Sequence, residues 1–108
     1  MPCRAGDGVL TLEQARAHRS AVPDWELVEG EVPRLRRQWV LRDFAQALAW
    51  IQAVAAIAEQ QDHHPDLHLT SWNHVTIEVW THAVGGLHPN DFVLARLVDR
   101  AWERRTTE

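Results

Sequence analysis

DFAQALAWIQAVAAIAEQQDHHPD, residues 43–66, decides how the rest of the chain is arranged. Phe44, Ala47, Leu48, Ile51, Val54, Ala55 and Ala58 recur at the helical period. Asp43 stands where a helix cap belongs, with Gln46 three residues later. Pro65 disfavours helical geometry at His64, so the helix must end near Asp62. The stretch therefore reads as a long amphipathic helix that delivers two histidines at its exit.

Upstream, Thr11 and Gln14 have the form of a capping box for a short helix running to about Ser20, which Pro23-Asp24 breaks. Trp25–Glu29 reads as a strand, and Gly30 begins a turn ending near Pro33. A second strand follows, with Leu35, Arg37, Trp39 and Leu41 on one side and Arg34, Arg36, Gln38 and Val40 on the other. The short connection implies an antiparallel hairpin. Downstream, Leu67 to about Thr81 is a strand or bent strand pair. Val75, Ile77 and Val79 face one way, and His74, Thr76, Glu78 and Trp80 face the other. After a Gly85-Gly86 turn, Pro89 suits the first turn of a last helix, with Asp91 near its positive end. Phe92, Ala95, Leu97, Val98, Ala101 and Trp102 form that helix's buried stripe. This order predicts an antiparallel sheet with helices packed on one face. Trp80 on the uncovered face hints at burial by another subunit.

The 108 residues make one domain, 1–108, with 1–9 expected to be a flexible N-terminus. A net charge of −4 argues against a nucleic acid or an anionic membrane as partner. Arg34, Arg36, Arg37 and Arg42 read as the solvated side of a strand. The single cysteine, Cys3, allows no internal disulfide. The opening MPCRAGDGV lacks the apolar run of a signal peptide, and no stretch reaches the roughly 20 apolar residues of a membrane span. A cytoplasmic protein is the expectation.

Seven histidines in so short a chain direct attention to where they cluster. His63-His64-Pro65 leaves the long helix, and Thr81-His82 leaves the last strand region. Both are junctions where a rigid scaffold presents functional side chains. Three imidazoles there could share binding, proton donation and proton removal. His18, His74 and His88 read as structural or solvated, with His68 left between that and lining a site. Trp39, Trp50 and Trp102 read as packing, while Trp25 and Trp72 remain candidates to stack on a flat aromatic ligand. No metal site is expected, because His64 and His68 share a face only on a helix that Pro65 interrupts. His-Glu-x-x-His and Cys-pair signatures are absent too. Neither Ser20 nor Ser71 sits in a hydrolase elbow.

Glu59, His63, His64, Pro65, Trp72, His82 and Asp91 fall at spacings that resemble those of the pterin-4a-carbinolamine dehydratase family. Asp24-Trp25, Phe44, Gly86-Leu87 and Asp91-Phe92 extend the resemblance over most of the chain. The resemblance implies an α+β, two-layer fold, a four-stranded antiparallel sheet with three helices packed on one face. It implies a homodimer or homotetramer acting on a pterin without a cofactor or metal. The reaction would be loss of water from 4a-hydroxytetrahydropterin, giving quinonoid dihydropterin and recycling the pterin used by aromatic amino acid hydroxylases. His63 and His82 would then be the acid/base pair, His64 would orient the pterin, and Asp91 would support a histidine. Pro65, Thr81, Trp25, Ala83, Trp72 and Glu59 would belong to the substrate site. Ala83 replaces a residue often acidic in relatives, and His88 replaces a helix-capping Ser or Thr. A non-catalytic binding, assembly or coactivator role on the same fold is the alternative.

Overall fold

In the computed structural model, which describes residues 9–81 and 85–106, Thr11 opens the first helix. Its hydroxyl accepts from the Gln14 N–H at 3.1 Å, and the Gln14 side chain accepts from the Thr11 N–H at 3.0 Å. The capping box is complete, and α1 spans Leu12–Arg19. The strands β1 (Glu26–Val28) and β2 (Arg34–Val40) follow, then α2 (Phe44–Gln61), β3 (Asp66–Thr70), β4 (His74–Val79) and α3 (Pro89–Thr106). The predicted bent strand pair is thus the β3–β4 hairpin. Its turn places Ser71 and Trp72 in the left-handed region, at φ 48° and 58°. Such a turn is tied down by Asn73, which donates Nδ2 to the Leu41 carbonyl at 2.8 Å.

All four strands pair antiparallel in the order β1-β2-β4-β3. The register sets Leu35 beside Val79, Arg37 beside Ile77 and Trp39 beside Val75 on one face. The helices cover that face, burying Ala47, Trp50 and Val54 of α2 with Leu94, Ala95 and Val98 of α3. This is the α+β layering expected from the sequence. Trp39, Trp50 and Trp102 meet in pairs with centroids 5.0–6.1 Å apart, and Trp25 meets Trp39 edge-on at 5.8 Å. Tilted and edge-on pairs of this kind contribute about 0.5–1.5 kcal/mol each beyond their burial. Among the described residues no helix is long and apolar enough to cross a membrane.

Arg37 departs from the solvated strand face expected of the basic residues. It shares the helix-covered face with Leu35 and Trp39, and its guanidinium lies 4.7 Å from the Trp39 ring centroid. Its Nη1 donates to Asp99 of α3 at 2.6 Å, and the Trp25 indole N–H reaches the same oxygen at 2.7 Å. Burial pushes the Asp99 carboxyl up, while the Trp25 and Arg37 bonds pull it back. The sequence signal was the alternation itself, which puts residue 37 in step with the core. Replacing Asp99 by Ala removes the acceptor of the Trp25 indole N–H and leaves the Arg37 guanidinium only exposed Asp24, 3.8 Å away. A loss of about 3 kcal/mol is expected by urea unfolding, and Asp99→Asn should lose less.

On the opposite face Arg34 Nε donates to Glu78 at 2.8 Å, and His68 Nε2 lies 3.2 Å from the other Glu78 oxygen. The Arg34 bond holds the Glu78 carboxyl below its ordinary value, against a smaller upward push from burial. A carboxyl held low in the fold adds stability above its unfolded pKa, and that stability vanishes as pH falls through the lower folded value. Urea midpoints of wild type and Glu78→Gln should therefore differ near neutrality and converge in acid, once pH has fallen below the ordinary carboxyl range. A gap that persists in acid would contradict this assignment.

Candidate active site

The end of α2 is set by its own backbone as well as by Pro65. Asp62 adopts a left-handed conformation at φ 50°, which short polar Asp tolerates better than most residues. The Asp62 N–H then bonds to Glu59 O at 3.2 Å and the His63 N–H to Ala58 O at 3.1 Å. Carbonyls that the last helical turn would leave open are satisfied this way. His63 is thereby anchored to the helix behind it, and Pro65 restricts the backbone in front.

The start of α3 meets it. Asp91, fully buried, accepts from the His88 N–H at 2.8 Å through Oδ2. The Thr81 hydroxyl lies 3.0 Å from Oδ1 and 2.9 Å from Oδ2. His63 Nε2 stands 2.5 Å from Oδ1, a short contact between a ring nitrogen and a carboxylate. Because a carboxylate accepts, Nε2 carries the proton and Nδ1 becomes the nitrogen open to proton exchange. The imidazole is 13% exposed. Thr81 is fixed in turn by its pairing with Gly86, whose carbonyl takes the Thr81 N–H at 2.8 Å.

His88 occupies the position where a capping Ser or Thr was expected, and it caps by another route. Its ring Nδ1 accepts the Asn90 N–H at 3.1 Å while its own N–H goes to Asp91. The pattern resembles a capping box with an imidazole in place of a hydroxyl, except that the ring takes the N–H of the second helical residue, not the third. His88 is thus structural, one of the two roles expected of it, although histidine is not among the usual cap residues.

His64 and Glu59 form a second pair through His64 Nε2 and a Glu59 carboxylate oxygen. Both side chains are more than half exposed, so the pair adds little stability. Pro65, half-buried, leads directly into β3. His82 and Ala83 lie outside the described residues. Trp25 is wholly buried, held by Asp99 two helical turns beyond Asp91, and offers no open face for stacking. Trp72 is 60% exposed at the far end of β3 from His63. The structure thus gathers His63, Thr81 and Asp91, sets His64 and Glu59 beside them in sequence, and leaves Trp25 and Trp72 elsewhere. Two surface hollows of about 400 and 510 Å³ are lined by Arg16, Arg19 and Glu29, and by Arg42, Trp102 and Arg105. Neither has a histidine in its walls.

These features define a small α+β protein in which a buried aspartate orients a mostly enclosed histidine. A model of the pterin 4 alpha carbinolamine dehydratase family matches residues 9–101, and the chain belongs to that family. Pterin-4-alpha-carbinolamine dehydratase 2, mitochondrial, of Arabidopsis thaliana is 44% identical over 92% of this chain. The matched residues make up 54% of that relative, so the chain spans about half its length. A putative pterin-4-alpha-carbinolamine dehydratase of Microcystis aeruginosa is 41% identical over 96% of this chain and 90% of its own length. Among solved structures, a transcriptional coactivator/pterin dehydratase from Brucella melitensis superposes with a TM-score of 0.76 at 27% identity. That likeness covers 85% of this chain and 96% of the other. A pterin dehydratase-like protein described as a RuBisCO assembly factor in the alpha-carboxysome gives a TM-score of 0.59 at 26% identity. It covers 71% of this chain and 87% of its own.

If the His88 ring caps α3, Ser should replace it at little cost, whereas Ala should lose about 1 kcal/mol. Thermal unfolding of His88→Ser and His88→Ala measures the difference, and equal losses would deny the ring a capping role.

Proposed function

We propose that the chain is a hydro-lyase acting on 4a-hydroxytetrahydropterin, with the tetrahydrobiopterin form as substrate. The observation that carries this reading is the Asp91–His63 contact, which fixes the protonated nitrogen of a mostly enclosed imidazole. In the reaction the C4a–O bond breaks as the N5 lone pair forms the C=N bond of quinonoid dihydropterin. The departing oxygen gains one proton, N5 loses one, and water leaves. Hydroxide is a poor leaving group, so an imidazolium at that oxygen lowers the barrier, and a neutral imidazole can take the N5 proton. Each such transfer contributes about 10²–10⁴-fold.

His63, oriented by Asp91, forms one half of this acid/base pair, and His82 the other. His64 orients the pterin with Glu59 behind it, and Pro65 and Ala83 contribute to the substrate site. Family membership and the names of the relatives support the pterin as substrate. Recycling for an aromatic amino acid hydroxylase, a homodimer or homotetramer, and a cytoplasmic location complete the proposal. A binding or assembly role, the description given to the RuBisCO-linked neighbour, is the competing reading on the same scaffold.

Stopped-flow dehydration of chemically generated 4a-hydroxytetrahydropterin separates the two. Wild type should exceed the uncatalysed rate, and folded His63→Ala and His82→Ala should each lose about 100-fold or more. Folded wild type with no acceleration would remove the enzyme reading and leave the binding role.

A further inference from the structure

Asp91 has no exposed surface, so its charge depends on the donors that surround it. Oδ2 receives the His88 N–H at 2.8 Å. His63 takes Oδ1 at 2.5 Å. Among the described residues the remaining donor is the Thr81 hydroxyl, 3.0 and 2.9 Å from the two oxygens, and it has a single hydrogen to give. Thr81 is itself 7% exposed. Its backbone is pinned by bonds to Gly86 in both directions, at 2.8 and 3.4 Å. A hydroxyl so enclosed and so aimed has little room to rotate toward another acceptor. Its place in the fold also differs from those of the other two donors. His88 belongs to the helix that carries Asp91, and His63 to the exit of α2, whereas Thr81 follows the last residues of β4.

We propose that Thr81 is a positioning residue for the dehydration, its hydroxyl holding the Asp91 carboxylate so that Oδ1 faces His63 Nε2. The sheet, through Thr81, thereby fixes which nitrogen of His63 carries the proton. This rests on the acid/base reading of His63 and gives Thr81 a role distinct from touching the substrate. Without the hydroxyl, Asp91 keeps the His88 bond but can turn about it, and the carboxylate competes more strongly for the proton it shares with His63.

The test compares Thr81→Val, nearly isosteric but without a donor, with Thr81→Ser, which restores the hydroxyl. Thr81→Cys, a weak donor, stands in if the valine variant does not fold. Stopped-flow dehydration is followed across pH, beside the ¹⁵N signals of the His63 ring, with His63→Ala as control. Loss of the hydroxyl should lower kcat about 10- to 100-fold and move the acid limb of the rate profile to higher pH. It should also mix the His63 tautomers, and Thr81→Ser should recover most of each effect.

A folded variant without the hydroxyl that keeps wild-type kcat, pH profile and ring signals overturns the proposal. So does a change in KM alone, which marks Thr81 as a pocket wall, and so does a loss that Ser fails to recover. If His63→Ala keeps full activity, the acid/base reading of His63 is what fails. The ring signals then decide the structural half: an unchanged His63 tautomer removes the role of Thr81 as well, and a mixed one retains it for orientation alone.

Discussion

Burying the carboxylate of Asp91 imposes a constraint that three parts of the chain must meet together. An ionised group taken fully out of water costs several kcal/mol unless donors replace its hydration. Those donors come from the His88 backbone at the start of α3, from Thr81 just after β4 and from His63 beyond α2. None lies on a common element, so the carboxylate is satisfied only when both long helices and the sheet are docked. The bond that orients His63 is therefore part of what joins the layers.

The rest of the molecule makes that docking rigid. Four tryptophans of the core interlock between β2 and the two long helices. Arg37 and Trp25 clamp α3 to the sheet through Asp99, eight residues along the helix from Asp91. One helix face thus carries two enclosed carboxylates with different tasks. Asp99 meets a permanent cation and an indole, which suits a structural clamp. Asp91 meets the His63 ring, the Thr81 hydroxyl and a backbone N–H, each from a different part of the chain.

Much of this was legible in the residues. The period of Phe44–Ala58, the Thr11–Gln14 box and the alternation of Val75, Ile77 and Val79 each answer to local geometry, so the elements could be read without tertiary information, although α2 buries Trp50 and leaves Phe44 and Leu48 of the predicted stripe exposed. Arg37 was misjudged because its charge outweighed its register, although the register was the better guide. Aromatic type does not reveal burial, so Trp25 reads from the sequence as a stacking candidate, while the partner that buries it, Asp99, lies 74 residues away. His63 and Asp91 could be named through the family resemblance. That one orients the other through Nε2, and that Thr81 and His88 complete the set, depends on how α2 and α3 meet. No spacing along the chain encodes that meeting. The left-handed Asp62 that stops α2 was hidden behind the stronger signal of Pro65.

Adding a dihydropterin to ¹⁵N-labelled protein and mapping the shifted signals tests most directly whether this dyad is the pterin site. The account requires the largest changes at the His63 ring and at the Thr81 and Asp91 amides, with the Trp25 indole signal unmoved. Shifts gathered around Trp72 or the Arg42–Arg105 hollow, with the His63 ring unchanged, would place the pterin elsewhere and contradict it.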